Sequence, residues 1–341
     1  MSISTGHRID RICTLDFHPG SGHLGSNIEA LYQEALDVQG APLTYLAAKG
    51  LIDTVSEGDT VFVITGTGID KWCPAGETDG PVGCAALARG LTRALGAKVV
   101  AICEDEMAVP MKATLMAAGE YVFNEEMFFD MPSSAVTFEP FPLGPEKARE
   151  IAEELVKKYQ PKAMIFVERL GPNEAGVYHF VTGTVNPPKG MSYGHHLVDA
   201  AKENGIFTIG IGDGGNEIGF GKIHSKIQEI VEVGRTCKCP CGKGMATVTD
   251  TDVLIAASIS NWGAYGIVAM LAYFKNDLNI LHDEETEYRM IEACALNGCL
   301  DGLFIKPILS VDGVPVSGNQ AIVTLLRETV KKALMHYERA F

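Results

Sequence analysis

Two rhythms alternate along this chain. Short β-branched runs end in glycine or polar turns, and each leads into a stretch whose apolar residues recur at helical spacing. Thr60-Val61-Phe62-Val63-Ile64 reads as a buried strand running into Thr65-Gly66-Thr67-Gly68. Residues 85–95 then carry Ala85, Leu87, Ala88, Leu91 and Leu95 on one helical face, closed by Gly96. Further strands are predicted at 98–102, 134–138, 162–167, 206–211 and 252–258. Helices are predicted at 110–119, 145–159, 197–204, 264–274, 284–297 and 318–337, the second of them strongly amphipathic.

Strands alternating with helices form βαβ units, so the expected fold is α/β: a mainly parallel sheet with helices on both faces. No linker-like composition break interrupts residues 1–341, which are read as one large domain. Residues 1–52 are read as a helical N-terminal extension packed on it. Ligands of such sheets sit beyond the carboxyl ends of the strands. The loops at 65–83, 168–183, 210–221 and 258–266 therefore carry the search for function.

Charge narrows the partners. With 28 Lys+Arg against 43 Asp+Glu, the net charge is −15 without a basic stripe. Nucleic acid and an anionic membrane surface are excluded as main partners, while a small acidic molecule in a locally positive pocket is not. No run of 18 apolar residues exists to span a membrane, and residues 1–16 lack the apolar core of a signal peptide. Nine cysteines, several in apolar runs, fit reduced thiols in a cytoplasmic protein, either monomeric or homo-oligomeric.

Glycines, 37 in all, are clustered. Gly210-Ile211-Gly212-Asp213-Gly214-Gly215 formally matches a dinucleotide fingerprint, which keeps an NAD-dependent oxidoreductase as an alternative. The motif lies two-thirds of the way along, however, and continues as Asn216-Glu217-Ile218-Gly219-Phe220-Gly221 instead of opening a helix. It reads better as a nest of backbone N–H groups at Gly212, Gly214, Gly215 and Asn216 that receives an anion. The carboxylates of Asp213 and Glu217 beside it suit a cation, or are solvated acids on a tight turn.

Glu77-Thr78-Asp79-Gly80-Pro81 is either a helix start or a carboxylate pair at the sheet edge. Glu168-Arg169, with Tyr178 nearby, supplies an arginine for a substrate carboxylate or forms a surface ion pair. Ser260-Asn261-Trp262-Gly263 provides an amide donor or a helix cap. Cys237-Lys238-Cys239-Pro240-Cys241 has C-x-C-x-C spacing, not the usual C-x₂-C, and His224 is too distant to count as a fourth ligand, so metal binding there stays open. His195-His196 is read as structural, and Lys222 is rejected as a pyridoxal-phosphate lysine. A P-loop is absent.

Taken in order, ETDGP at 77–81, GIGDGGNEIGFG at 210–221 and SNWG at 260–263 make the chain similar to the D-glutamate cyclase family. Its members include stand-alone bacterial proteins and the C-terminal domain of a vertebrate mitochondrial enzyme. The resemblance runs from about Arg8 to the last helix. It departs after Glu168-Arg169, where residues 170–179 replace an arginine- and glycine-rich turn, and the cysteine cluster looks local to this branch. The resemblance implies a carbon–oxygen lyase that converts D-glutamate to 5-oxo-D-proline and water. A non-catalytic binder of acidic amino acids is the alternative from another class.

Lactam formation asks the site to take a proton from the ammonium and to activate the γ-carboxyl. Asp213, Glu217, Glu77 and Asp79 are expected to do the acid–base work, with Asp213 as base. Arg169, Gly212, Gly214, Gly215, Asn216, Asn261 and Tyr178 are expected to bind substrate. No cofactor is required by the reaction. A cation must offset the gathered acids, either the substrate ammonium or a divalent metal, magnesium or manganese.

Overall fold

The strand candidates are apolar at nearly every position, so the sheet they form has to be covered on both faces. The computed structural model describes residues 2–17, 27–66 and 73–335. β1 (Thr60–Ile64), β2 (Lys98–Cys103), β3 (Val122–Phe123), β4 (Val136–Pro140), β5 (Ala163–Val167), β6 (Phe207–Gly212) and β7 (Val253–Ala256) form one sheet in the order β3-β4-β2-β1-β5-β6-β7. Every pairing in it is parallel. The fold is α/β, as expected.

Alternate strand residues divide between two cores. Val61, Val63, Val99, Ala101, Ile165 and Val167 enter the larger one, and Phe62, Ile64, Val100, Ile102, Met164 and Phe166 the smaller. Helices α1 (Ser2–Cys13), α2 (Ile28–Gln39), α3 (Leu43–Thr54), α4 (Pro81–Leu95) and α5 (Ala108–Ala117) contribute to the larger core. The N-terminal helices bury Ile9, Cys13, Leu31, Ala35, Ala47 and Leu51 there. α6 (Glu125–Asp130), α7 (Ala148–Tyr159) and α8 (His195–Glu203) cover the opposite face.

The short α9 (His224–Ile230) and α10 (Glu232–Arg235) precede β7. α11 (Ser260–Lys275) follows it and is buried almost all round, as its nearly uniform apolar sequence requires. α12 (Glu284–Leu296), a two-residue hairpin of β8 (Ser310–Val311) and β9 (Val314–Pro315), and α13 (Val316–Leu334) complete the chain. No helix among the described residues is long and apolar enough to cross a membrane.

The departures from expectation have local causes. α4 and α11 each begin four residues earlier than their apolar spacing indicates, at Pro81 and Ser260. Their first turns, Pro81-Val82-Gly83-Cys84 and Ser260-Asn261-Trp262-Gly263, carry little apolar periodicity and are held by capping bonds from elsewhere in the fold. α7 starts at Ala148 because Lys147 takes a left-handed φ of 63°. β3, α6 and the β8–β9 hairpin are too short to carry a periodic signal. The expected helix end at Tyr337, and Thr67 and Gly68 of the first glycine turn, lie outside the described residues.

Candidate active site

From β1 the chain builds the sheet outward through β2 and β4 on one side, then returns to place β5 on the other. Loops after β1 and β5 therefore diverge, opening a crevice beyond the carboxyl ends of the strands. Asp79 comes to it after β1, Glu168 after β5, Asp213 and Glu217 after β6, and Ser260 after β7. The β8–β9 turn adds Asp312, and Glu77 bridges to Leu300 alongside. Gly302 lies so close to the carboxyl groups of Glu77 and Asp312 that no side chain fits there.

Helices α4 and α11 cap each other. Asp79 accepts the N–H groups of Ser260 (2.9 Å) and Asn261 (2.8 Å) in the first turn of α11, and also that of Gly80 (3.0 Å). In return, Asn261 Oδ1 accepts the N–H groups of Gly80 (2.9 Å) and Gly83 (2.6 Å) at the start of α4, while its Nδ2 donates to Thr78 O. The helix-start reading of both motifs is right in kind, but each cap serves the other helix. Asn261 differs from the substrate contact expected of it: its amide oxygen is fully engaged in this exchange.

The glycine nest also differs from expectation. Gly214 N–H donates to Glu217 Oε1 (2.9 Å) and Gly215 N–H to Glu217 Oε2 (2.8 Å). The anion that the nest receives is the loop's own carboxylate. Gly215 adopts φ of 99°, a conformation L side chains resist, and an added Cβ would stand 2.9 Å from Ile227. Gly212 is pressed against Glu217 and Phe220 in the same way. Asn216 reaches away, donating from Nδ2 to His179 O (3.0 Å). The loop opens into no helix before His224, which removes the helix N-terminus that a dinucleotide fingerprint needs.

What remains is a group of acids in low dielectric. Asp79, Glu168, Glu217 and Asp301 are buried, while Glu77, Asp213 and Asp312 are half-buried and form the reachable side. Burial pushes Asp79 up to about 7, although the N–H groups of Asn261, Ser260 and Gly80 pull it down. Burial raises Glu77, Glu168, Asp213 and Asp312 well above the usual carboxylate range, and neighbouring carboxylates add to it. An interaction with Asp213 partly offsets the rise at Asp312, and the carboxyl oxygens of the two lie within 4.8 Å of each other.

Glu168, whose acid role the sequence left inside an Arg pair, accepts a hydrogen bond from Ser260 Oγ (2.6 Å). Its φ of 47° is a strained conformation for glutamate, costing about 1–3 kcal/mol. Thr65 Oγ1, against Gly80, is buried and has no hydrogen-bond partner among the described residues. Asp301 is spent on structure: it accepts from the N–H groups of Leu303, Phe304 and Gly313. Two sets of oxygens fall within metal-binding reach and share one member, Asp79–Asp213–Asp312 and Glu168–Asp213–Glu217.

Arg169 is neither the surface partner of Glu168 nor presented as an open fork. Fully buried, it pairs with Glu104 (2.7 Å) and donates to the carbonyls of Thr65, Gly66 and Ser192. It ties the ends of β1, β2 and β5 together. Arg169→Lys keeps the charge but cannot serve the carbonyls on both sides, so we expect a loss on the order of 2 kcal/mol. Thermal denaturation should show it while KM stays unchanged; a raised KM at unchanged Tm would return Arg169 to the substrate. Tyr178 lies apart from the acids, its hydroxyl hydrogen-bonded to His195 Nδ1 and its ring against Tyr193.

Sequence reasoning missed Asp312 and His179. The first had a signal, since Asp312-Gly313 between valines marks a tight hairpin, but nothing local links that turn to the β6 loop. His179 had none: it meets Cys237, Cys239 and Cys241 from about sixty residues away.

Comparison with known proteins shows the family of the chain. A family model described as "D-glutamate cyclase-like, C-terminal" matches residues 26–327. The human protein named "D-glutamate cyclase, mitochondrial" is 33% identical over 84 residues, which are 22% of this chain and 12% of that protein. The chain thus matches about an eighth of its curated relative's length.

Proposed function

Because the chain belongs to the D-glutamate cyclase-like family, we propose that it converts D-glutamate to 5-oxo-D-proline and water. The observation that carries this reading is the Asp213–Asp312 carboxyl pair at the open side of a carboxylate cluster. The neighbours acting most strongly on Asp213 are Glu168, Glu217, Asp312 and Asp79, all acids. Such a cluster favours a cation, and an α-ammonium group supplies one.

In the proposed reaction the nitrogen attacks the γ-carboxyl carbon, a C–N bond forms and a C–O bond breaks. The two protons that leave the ammonium nitrogen equal the two that depart with oxygen as water, so no other reactant is consumed. In the reactive form the proton lies on Asp312 and not on Asp213: Asp213 accepts the first ammonium proton, and Asp312 donates to the departing oxygen. A carboxyl raised above its ordinary range by its surroundings suits both tasks. Glu217 and Asp79, fixed in place by backbone N–H groups, orient the ammonium. Curling the substrate into a near-attack conformer lowers the barrier by several kcal/mol more.

The oxygen sets that share Asp213 support a second version, in which these carboxylates would hold a hard divalent ion such as magnesium or manganese that would polarise the γ-carboxyl. Incubation with D-glutamate, before and after EDTA treatment, tests both. We expect 5-oxo-D-proline by chiral chromatography, with none from L-glutamate. Activity lost to EDTA and restored by metal selects the second version. Saturable binding without turnover would leave the protein a binder of acidic amino acids, and NAD binding by fluorescence titration would point to an oxidoreductase.

A further inference from the structure

We propose that His179, Cys237, Cys239 and Cys241 bind a zinc ion, in a structural site that shares no residue with the carboxylate cluster. All four ligand atoms lie within 4.8 Å of one another. The sulfurs of Cys237 are 3.4 Å from Cys239 and 3.3 Å from Cys241, and Cys239 and Cys241 are 3.2 Å apart. His179 Nε2 approaches Cys239 Sγ at 3.3 Å and Cys241 Sγ at 3.9 Å. A tetrahedron with Zn–S bonds of about 2.3 Å has edges of about 3.8 Å, so a few tenths of an ångström separate these positions from a coordinating set. Three cysteines and one histidine make a closed structural zinc centre, with no position left for substrate.

The surroundings are those of a metal site. His179 Nδ1 lies 3.2 Å from Val177 O, a contact that holds its proton on that nitrogen and leaves Nε2 free to ligate. Asn173 Nδ2 lies 3.4 Å from Cys241 Sγ while donating to Gly244 O at 2.7 Å. Lys238 N–H donates to Gly183 O, joining the two ligand-bearing segments a second time. Residues 236–244 (TCKCPCGKG) have no large apolar side chain to anchor them, so a cross-link supplies what a core cannot. Soft thiolates select zinc over the hard cations that suit carboxylates.

The consequence reaches the active site. His179 O accepts from Asn216 Nδ2, and Gly215 O accepts from Thr247 N–H (3.1 Å). The His179 segment and the chain just beyond the cysteine cluster therefore both hydrogen-bond to the Gly212–Glu217 loop.

Elemental analysis of the full chain, purified with a reductant, should find about one zinc per molecule. Cobalt exchange should give the intense visible bands of a tetrahedral site and a thiolate-to-cobalt charge-transfer band. Cys239→Ser and His179→Gln should lose the metal, and Asp213→Asn should keep it. If the variants are insoluble, mercurial titration of the wild-type protein, with a zinc-sensitive dye, should release the ion as the three thiols react. Less than about 0.1 metal per chain with no cobalt spectrum overturns the proposal. So does a disulfide within the cluster, or zinc that survives Cys239→Ser but is lost in Asp213→Asn.

Discussion

Asp213→Asn should lose D-glutamate turnover by about 100-fold or more, the scale of a positioned general base, while remaining folded. The amide keeps the shape of the carboxyl but accepts no proton from an ammonium. It also resembles the protonated acid that burial and the neighbours Glu168 and Glu217 favour at this position. Stability should therefore be unchanged, or improved above neutral pH. Asp312→Asn should fall similarly, since the Asp213–Asp312 hydrogen bond couples the two groups. Steady-state assays beside a thermal melt separate the effects. Full activity in Asp213→Asn would remove it from the mechanism.

The ligand-free protein should become less stable as pH rises from about 5 toward 8, the reverse of ordinary acid denaturation. Asp79 is raised from 3.8 to about 7, and Glu77, Glu168, Asp213 and Asp312 are raised well above their ordinary values. Between its unfolded and folded pKa, each such acid keeps its proton in the native state and loses it on unfolding. The native state then binds more protons, so stability declines across that window and is fully present only below it. Asp10, raised by burial beneath α3, acts in the same direction. Asp283 and Glu284 are lowered and act oppositely below the window, while His195, lowered by burial from 6.5 to about 4, opposes the decline only in the window's acid end. Asp79 alone accounts for a change on the order of a few kcal/mol. Melts at pH 5.5, 7 and 8.5 in low salt should show Tm falling, with Asp213→Asn giving a shallower slope. Saturating substrate should restore stability at the high-pH end, because its cation offsets the ionised acids. A Tm that climbs steadily with pH would sink this account and the buried-acid site with it.

Most of the strand and helix order, the parallel sheet and the loops at its carboxyl edge were legible in the sequence. Period-two and period-3.6 patterns are local, and ligand sites in such sheets follow from chain direction. Glu77, Asp79, Asp213 and Glu217 could be nominated because each sits in a glycine-rich loop after a strand. Which hydrogen bonds those residues make was decided only by tertiary structure. Asp79 and Asn261, 182 positions apart, exchange caps because α4 and α11 begin side by side at the sheet edge. Glu217 fills its own nest because Gly214 and Gly215 turn their N–H groups inward. Arg169 finds Glu104 across the strand ends because a buried guanidinium needs an anion and several carbonyls at once. Asp312 and His179 reach their clusters from remote turns. Periodicity records only what a residue's own helix or strand buries; partners supplied by another part of the chain leave no mark on local spacing. A carboxylate's charge, donors and proton affinity are set by those partners, so they exist only once the chain has folded.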